Sequence, residues 1–265
     1  MSDTRVIVRI EEGIAEVTLN RPDKMNAFDA AMFTDLVAAG ESLHSEPGLR
    51  AVILTGSGRA FSAGIDTAML AEFATDLPAL RAEIVTPPKG EASNRFQKPC
   101  TVWADLPVPV IAAIHGVAFG AGMQLALGAD YRIAAPDARF SIMESRWGLV
   151  PDMGLTKFLP ALMRADQALE LILSARVLEA PEAQSLGLVS RLAADPLTEA
   201  REMARFIAAR SPEAVRGAKA LVRAAWPGGD RHLALEARLQ ADIIGSPNQI
   251  EAVMAGMQKR TPRFS

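Results

Sequence analysis

Seven residues, Val108-Pro109-Val110-Ile111-Ala112-Ala113-Ile114, run without a charged side chain and then break into Gly116, Gly120 and Gly122. A short apolar run bounded by breakers fits a strand buried on both faces. The glycines permit a tight turn and close backbone approach. Met123-Gln124-Leu125-Ala126-Leu127 continues as an apolar helical pattern, closed by Gly128 and Asp130. A β-type segment, Tyr131-Arg132-Ile133-Ala134, comes next. Phe140-Ser141-Ile142-Met143-Glu144 and the loop Gly148-Leu149-Val150-Pro151-Asp152-Met153-Gly154 follow. A strand, a glycine turn, a helix start and two carboxylates so close together predict a site on a rigid frame.

The same stretch invites a membrane reading, because residues 108–129 are nearly uncharged and contain Gly116-x-x-x-Gly120. Pro109, the clustered glycines and Gln124 argue instead for a buried strand that turns into a helix. Over the whole chain of 265 residues, 49% are hydrophobic and 22% charged, enough for a substantial core. A net charge of −3 without a Lys/Arg block argues against nucleic acid as a partner. The single Cys100 excludes a disulfide framework and a cysteine zinc site, and fits a reduced, cytoplasmic compartment. Met1-Ser2-Asp3-Thr4 shows no signal-peptide pattern, and Arg263-Phe264-Ser265 is not a peroxisomal address.

Val6–Ile10 and Ile14–Leu19 are β-rich runs around Glu11-Glu12-Gly13, a hairpin signal. Phe28–Leu43 predicts a helix with Met32, Leu36, Ala39 and Leu43 on one face. Ala51-Val52-Ile53-Leu54-Thr55 is a short buried strand, followed by the small-residue segment Phe61-Ser62-Ala63-Gly64-Ile65-Asp66 and a helix starting at Asp66 or Thr67. Residues 75–99, with Pro78, Pro87, Pro88 and Gly90 among charges, are predicted to be the least regular part and a mobile flap. Helices dominate beyond Pro151: Leu155–Met163, Ala165–Leu173, Pro181–Leu186 and a tail from Pro196 broken at Ser211-Pro212, Pro227-Gly228-Gly229 and Ser246-Pro247. Strands first and helices last predict an α/β core over residues 1–195 with a helical C-terminal region over 196–265.

Asn20-Arg21-Pro22-x-x-x-Asn26-Ala27, Phe61-Ser62-Ala63-Gly64-Ile65-Asp66, Pro109–Gly116, Gly120-Ala121-Gly122-Met123-Gln124-Leu125, Gly148-Leu149-Val150-Pro151 and Ala180-x-Glu182-Ala183-x-x-x-Gly187-Leu188-Val189 occur in one order. In that order they resemble the enoyl-CoA hydratase/isomerase (crotonase) family, over roughly residues 5 to 225. The resemblance implies a spiral of ββα units and a C-terminal helical region that assembles trimers or hexamers. It also implies an acyl-coenzyme A thioester as the small-molecule substrate. Coenzyme A would enter as part of that substrate, with no metal and no other cofactor.

A thioester is activated by fixed N–H donors aimed at the enolate oxygen that develops at its carbonyl. By resemblance the donors are the backbone N–H groups of Ile65 and Ala121, with Ala63, Gly64 and Asp66 against the coenzyme A moiety. Asp66 has a second reading, as the cap of the helix it starts. Gly120-x-Gly122 is not a dinucleotide fingerprint, because Leu125 stands where the third glycine belongs.

Hydratases of this family hold water with glutamates at the positions of Gln124 and Glu144. Here the first is an amide, which hydrogen-bonds but is no carboxylate base. Asp152 stands where many hydratases carry glycine. The chain is similar to the dienoyl-CoA isomerases in pairing a glutamate at Glu144 with an aspartate at Asp152, although their residue at the Gln124 position is also acidic. Two carboxyls, one ionised and one protonated, suit moving a double bond, and the apolar neighbours Met143, Trp147 and Met153 favour that split. The plain alternatives are a turn or cap role for Asp152, a surface ion pair of Glu144 with Arg146 or Arg139, and a structural amide at Gln124.

His115 reads as a satisfied strand-end histidine, and His44 and His232 make no metal spacing with it. Ser62 and Ser141 lack a nucleophile elbow. Cys100 reads as semi-buried, and Leu221, Leu233, Leu235 and Leu239 as subunit-packing residues. Three functions remain open: a double-bond isomerase working through Glu144 and Asp152, a 2-enoyl-CoA hydratase, and a non-catalytic acyl-CoA binder.

Overall fold

The computed structural model describes residues 4–69, 75–226 and 232–264. The chain's first three residues and the predicted break at Pro227-Gly228-Gly229 lie outside them. Strands β1 (Val6–Glu11) and β2 (Ile14–Leu19) form the expected antiparallel hairpin, with Glu12 at φ 51° and Gly13 at φ 77°. Two successive left-handed residues match the turn twist that a tight hairpin needs. Helix α1 (Ala30–His44) starts at Ala30, not Phe28, because Asp29 caps it by accepting the Met32 N–H at 2.9 Å. Phe28 instead bridges Ile65.

Strand β3 (Ala51–Gly56) is buried along its whole length. Residues 67–69 are helical, which puts that helix start at Thr67. The stretch predicted to be least regular holds α2 (Leu77–Val85), capped by Asp76, and the start of α3 (Lys98–Asp105). Both helices carry a proline in the first turn, where a missing N–H costs nothing. Strand β4 (Val110–Ile114), strand β5 (Val117–Phe119) and helix α4 (Ala121–Leu127) occupy the apolar stretch that invited a membrane reading. Among the described residues no helix is long and apolar enough to cross a membrane.

The chain continues through β6 (Tyr131–Ala134), β7 (Arg139–Ser141), a 3₁₀ turn at Glu144–Trp147, α5 (Leu155–Phe158) and α6 (Ala165–Ser174). Then come β8 (Leu178–Glu179), α7 (Ala180–Ser185) and β9 (Arg191–Leu192). Four tail helices follow: α8 (Pro196–Ala208), α9 (Pro212–Ala225), α10 (Leu233–Ile243) and α11 (Pro247–Met257).

Two sheets share the strands, in the orders β1-β2-β3-β4-β6-β9 and β5-β7-β8. Successive strands alternate between them: β4 then β5, β6 then β7. The Ser62–Ala118 and Phe28–Ile65 bridges extend the same alternation to the earlier turns. This is the expected spiral of ββα units, mixed α/β with a helical C-terminal region. Gly116 makes the corner from β4 to β5: its φ is +64°, and a Cβ there would lie 2.1 Å from the Arg59 carbonyl oxygen.

Both faces of the larger sheet are covered. Val52, Leu54, Val110, Ala112 and Ile114 point into the main core. Ala51, Ile53, Ile111, Ala113 and Ile133 point the other way, against Ala200 and Ala204 of α8. The alternation explains why β3 and β4 read as unbroken apolar runs. Helix α8, on the tail side of the boundary drawn at residue 195, is therefore a layer of the core. Leu233, expected at a subunit contact, is fully buried within its own chain, whereas Leu221, Leu235 and Leu239 are exposed. Cys100 is fully buried rather than semi-buried.

Candidate active site

The segment around Ile65 and the start of α4 meet at one end of a cleft of about 360 Å³. The Phe28 bridge uses the Gly64 carbonyl and the Asp66 N–H, at 2.7 and 2.9 Å. Along extended backbone, successive residues turn their polar groups to opposite sides, so the intervening Ile65 N–H faces away from that bridge. Ala121 opens a helix, where an N–H has no partner within the helix. Among the described residues neither N–H donates to a backbone acceptor. The two loops touch at Gly64, whose φ is +93°. A Cβ there would lie 2.7 Å from the Phe119 carbonyl oxygen and 3.5 Å from the Ala121 nitrogen.

Glu144 opens the 3₁₀ turn after β7 and stands on the cleft wall. A Cβ on Gly120 would lie 3.4 Å from its Oε1, so the carboxylate lies beside the backbone leading into Ala121. Its Oε1 accepts the Gln124 Nε2–H at 2.7 Å. Its Oε2 is buried and, among the described residues, accepts nothing. Burial pushes its pKa up from 4.5 to about 6. Neither Arg139 nor Arg146 pairs with it, because the carboxylate points inward.

Gln124 is buried on α4, and both ends of its amide are engaged. While Nε2 donates to Glu144, Oε1 accepts the Met153 N–H at 2.9 Å. The amide therefore ties the Glu144 turn to the loop that carries Asp152. Asp152 is 9% exposed and does not line the cleft as Glu144 does. Burial, then the charges of Glu236 and Glu144, push its carboxyl well above the usual range. It does not cap α5, whose N-cap is Gly154 with no side-chain acceptor of its own.

Glu236 does that capping instead. Its carboxylate, on α10, accepts the Gly154 N–H at 2.9 Å and the Thr156 N–H at 2.6 Å. From the same helix Gln240 accepts the Val150 N–H at 3.2 Å. The sequence reading passed over both residues. Their signal is a Glu and a Gln on the helix face that also carries Leu233, Ala237 and Ala241, all buried. Cys100 lies close to these acids. Its thiol is pushed well up by burial and by Glu144, Asp152 and Glu236, so it sits behind the site as a neutral group.

Asp66 carries out the structural half of its two readings. It accepts the Ala68 N–H at 3.0 Å and pairs with Arg21 at 2.7 Å, which together hold its pKa below the ordinary value. It also borders the cleft beside Ala63 and Gly64. The Ala63 N–H is already given to the Met25 carbonyl. His115 is satisfied at its strand end, with Nε2 3.0 Å from the Gly58 carbonyl oxygen. Among the described residues no group of three His, Cys, Asp or Glu is placed to hold a metal ion. A somewhat larger hollow, about 410 Å³, lies between α1 and residues 88–98. Its Lys98 is committed to Glu91 and Glu41, and neither Ile65 nor Ala121 lines it.

Residues 9–265 match the family described as Enoyl-CoA hydratase/isomerase. The chain belongs to that family. Among its relatives, a probable enoyl-CoA hydratase of Rhodobacter capsulatus is 39% identical, covering 100% of this chain and 99% of its own. The mitochondrial Delta(3,5)-Delta(2,4)-dienoyl-CoA isomerase of Mus musculus is 33% identical over 96% of this chain and 79% of its own. The crystal structure of a putative enoyl-CoA hydratase/isomerase from Acinetobacter baumannii superposes with a TM-score of 0.84 at 26% identity, covering 97% and 100% of the two chains. Hydratase and isomerase names thus both occur among the relatives of this family member.

Proposed function

We propose that the protein moves a double bond in an unsaturated acyl-CoA thioester through an enolate held by the Ile65 and Ala121 N–H groups. Coenzyme A lies along Ala63, Gly64 and Asp66, and the chemistry draws on no metal or further cofactor. Glu144, ionised above about pH 6, takes a proton from the carbon next to the thioester carbonyl. The charge moves onto the carbonyl oxygen, where the two fixed N–H donors meet it without reorganising. On this reading the acyl chain passes beyond the cleft wall to reach Asp152, which in its acid form returns a proton at a more distant acyl carbon. The double bond shifts, and proton transfer back through the site resets both carboxyls.

The observation that carries this reading is the engagement of the Gln124 amide. Each end is held, one by Glu144 and the other by the Met153 N–H. The amide acts as a spacer between the Glu144 carboxylate and the loop that carries Asp152, and does not serve as the second carboxylate of a water site. One feature supports the second reading, 2-enoyl-CoA hydration: the buried, unpartnered Oε2 of Glu144 suits a water molecule. A non-catalytic binder has no use for two carboxyls that are costly to bury.

Turnover on crotonyl-CoA and on a 3,5-dienoyl-CoA separates the three. For the isomerase, Glu144→Gln and Asp152→Asn each lower turnover ~10²–10⁴-fold, the usual loss for a general acid or base, with KM little changed. For the hydratase, Asp152→Asn is mild and Gln124→Glu raises hydration. Undiminished turnover of Asp152→Asn on every substrate ends the two-carboxyl mechanism.

A further inference from the structure

Glu236 is a buried acid that the reaction does not touch. It is 4% exposed and lies on α10, a helix of the tail. Four donors converge on its carboxylate. Oε1 takes the Thr156 N–H at 2.6 Å and the Thr156 hydroxyl at a short distance. Oε2 takes the Gly154 N–H at 2.9 Å and the Gln97 Nε2–H at 3.3 Å. The Gln97 amide is oriented by its other bonds: Oε1 accepts the Asn94 N–H, and Nε2 also donates to the Leu233 carbonyl. A protonated carboxyl needs an acceptor for its own proton, and three of these four partners are N–H donors. Burial raises the carboxyl's pKa while all four donors oppose that rise, so the cradle fits the carboxylate form.

That charge lies beside Asp152, because Gly154 and Thr156 are on the same short loop. The other titratable groups facing Asp152 are Glu144 on the 3₁₀ turn and the neutral thiol of Cys100 on α3. Among the described residues no cation is set against Asp152. Lys157, next to Thr156, is turned to Asp105 at 2.8 Å.

We propose that Glu236 is a positioning residue that fixes the loop of Asp152 and, by its negative charge, holds the Asp152 carboxyl in the acid form that donates a proton. The inference rests on the isomerase reading for its use, but not for its measurement. Burial alone raises a carboxyl, and a like charge nearby raises it further. Burial acts on Asp152 with or without Glu236, whereas the repulsion of the charge disappears with Glu236.

The test is a ¹³C-carboxyl NMR titration of the full-length protein labelled at aspartate and glutamate, with Asp152→Asn assigning its resonance. In wild type Glu236 is expected to be ionised at pH 7 while Asp152 is protonated. In Glu236→Gln the Asp152 midpoint falls by about one pH unit or more, the size of a lost neighbouring charge. The alkaline limb of the kcat profile falls with it, and KM is little changed. Glu236→Asp, which keeps the charge, restores the limb. An unmoved Asp152 midpoint in a folded Glu236→Gln protein overturns the proposal. So does a protonated Glu236 at pH 7 in wild type, which needs no variant. If Asp152→Asn keeps full turnover while Glu236→Gln still moves the Asp152 midpoint, the isomerase reading fails and the coupling stands.

Discussion

Glu144 is ionised at a cost to the fold. Its pKa is raised in the folded protein, so the fold favours the protonated form. That contribution is full below the ordinary 4.5 and is lost as pH rises through about 6. At about 1.4 kcal/mol per pH unit, ionised Glu144 burdens the fold by about 2 kcal/mol at pH 8. Glu144→Gln keeps an acceptor for Gln124 and removes the charge. Urea unfolding is expected to show the variant level with wild type at pH 4.5 and more stable by about 2 kcal/mol at pH 8. A variant less stable at pH 8 would refute this account. Turnover runs in the opposite sense, since the base must be ionised. The kcat profile should rise through about pH 6 and fall where Asp152 loses its proton. The two limbs report joint values for the coupled carboxyls.

At the scale of elements, the site is held from behind by tail helices. Helix α10 grips the Val150–Thr156 loop through Gln240 and Glu236. Helix α11 lies against the Glu144–Trp147 turn at Gly148. That glycine has φ +69°, and a Cβ on it would lie 2.8 Å from the Gln249 Cα. Gly148→Ala meets both a left-handed backbone penalty of about 1–2 kcal/mol and a backbone neighbour that cannot rotate away. The expected result is a lower unfolding midpoint together with a lower kcat, because the same turn aims Glu144. An unchanged midpoint and an unchanged kcat would show that α11 does not support the turn.

For the whole molecule, the tail has two parts with different roles. Helix α8 covers one face of the larger sheet, over Ile53, Ile111 and Ile133. Uncovering three isoleucines at about 1.5–3 kcal/mol each approaches the entire stability of a typical domain. Truncation after Leu192 is therefore expected to give insoluble protein, and a soluble, folded product would contradict this. Helix α9, by contrast, has no buried residue. Leu221 is 72% exposed on it, and Leu173 is 68% exposed on α6. Apolar side chains this open are the expected contact between copies. Light scattering should give a trimer or hexamer, and Leu221→Asp with Leu173→Asp should lower the mass without loss of helix signal. A monomeric wild type would refute the assembly.

The order of strands, turns and helices around residues 51–69 and 108–154 was legible in the sequence, because unbroken apolar runs and glycines record burial and backbone shape locally. The N–H groups of Ile65 and Ala121 and the acids Glu144 and Asp152 came from the family resemblance, with the flanking glycines and apolar neighbours agreeing in part. Helices α2 and α3 were not legible: Pro78 read as a breaker, but it and Pro99 occupy first turns, where proline is tolerated. Periodicity shows that a residue is buried, not what it is buried against. Only the tertiary structure set α8 on the sheet, tied Gln124 between Glu144 and the Met153 N–H, and brought Glu236 to Gly154 across 82 positions of chain. A carboxyl's proton affinity depends on the water excluded and the charges set beside it, and those neighbours come from elements far apart in the sequence.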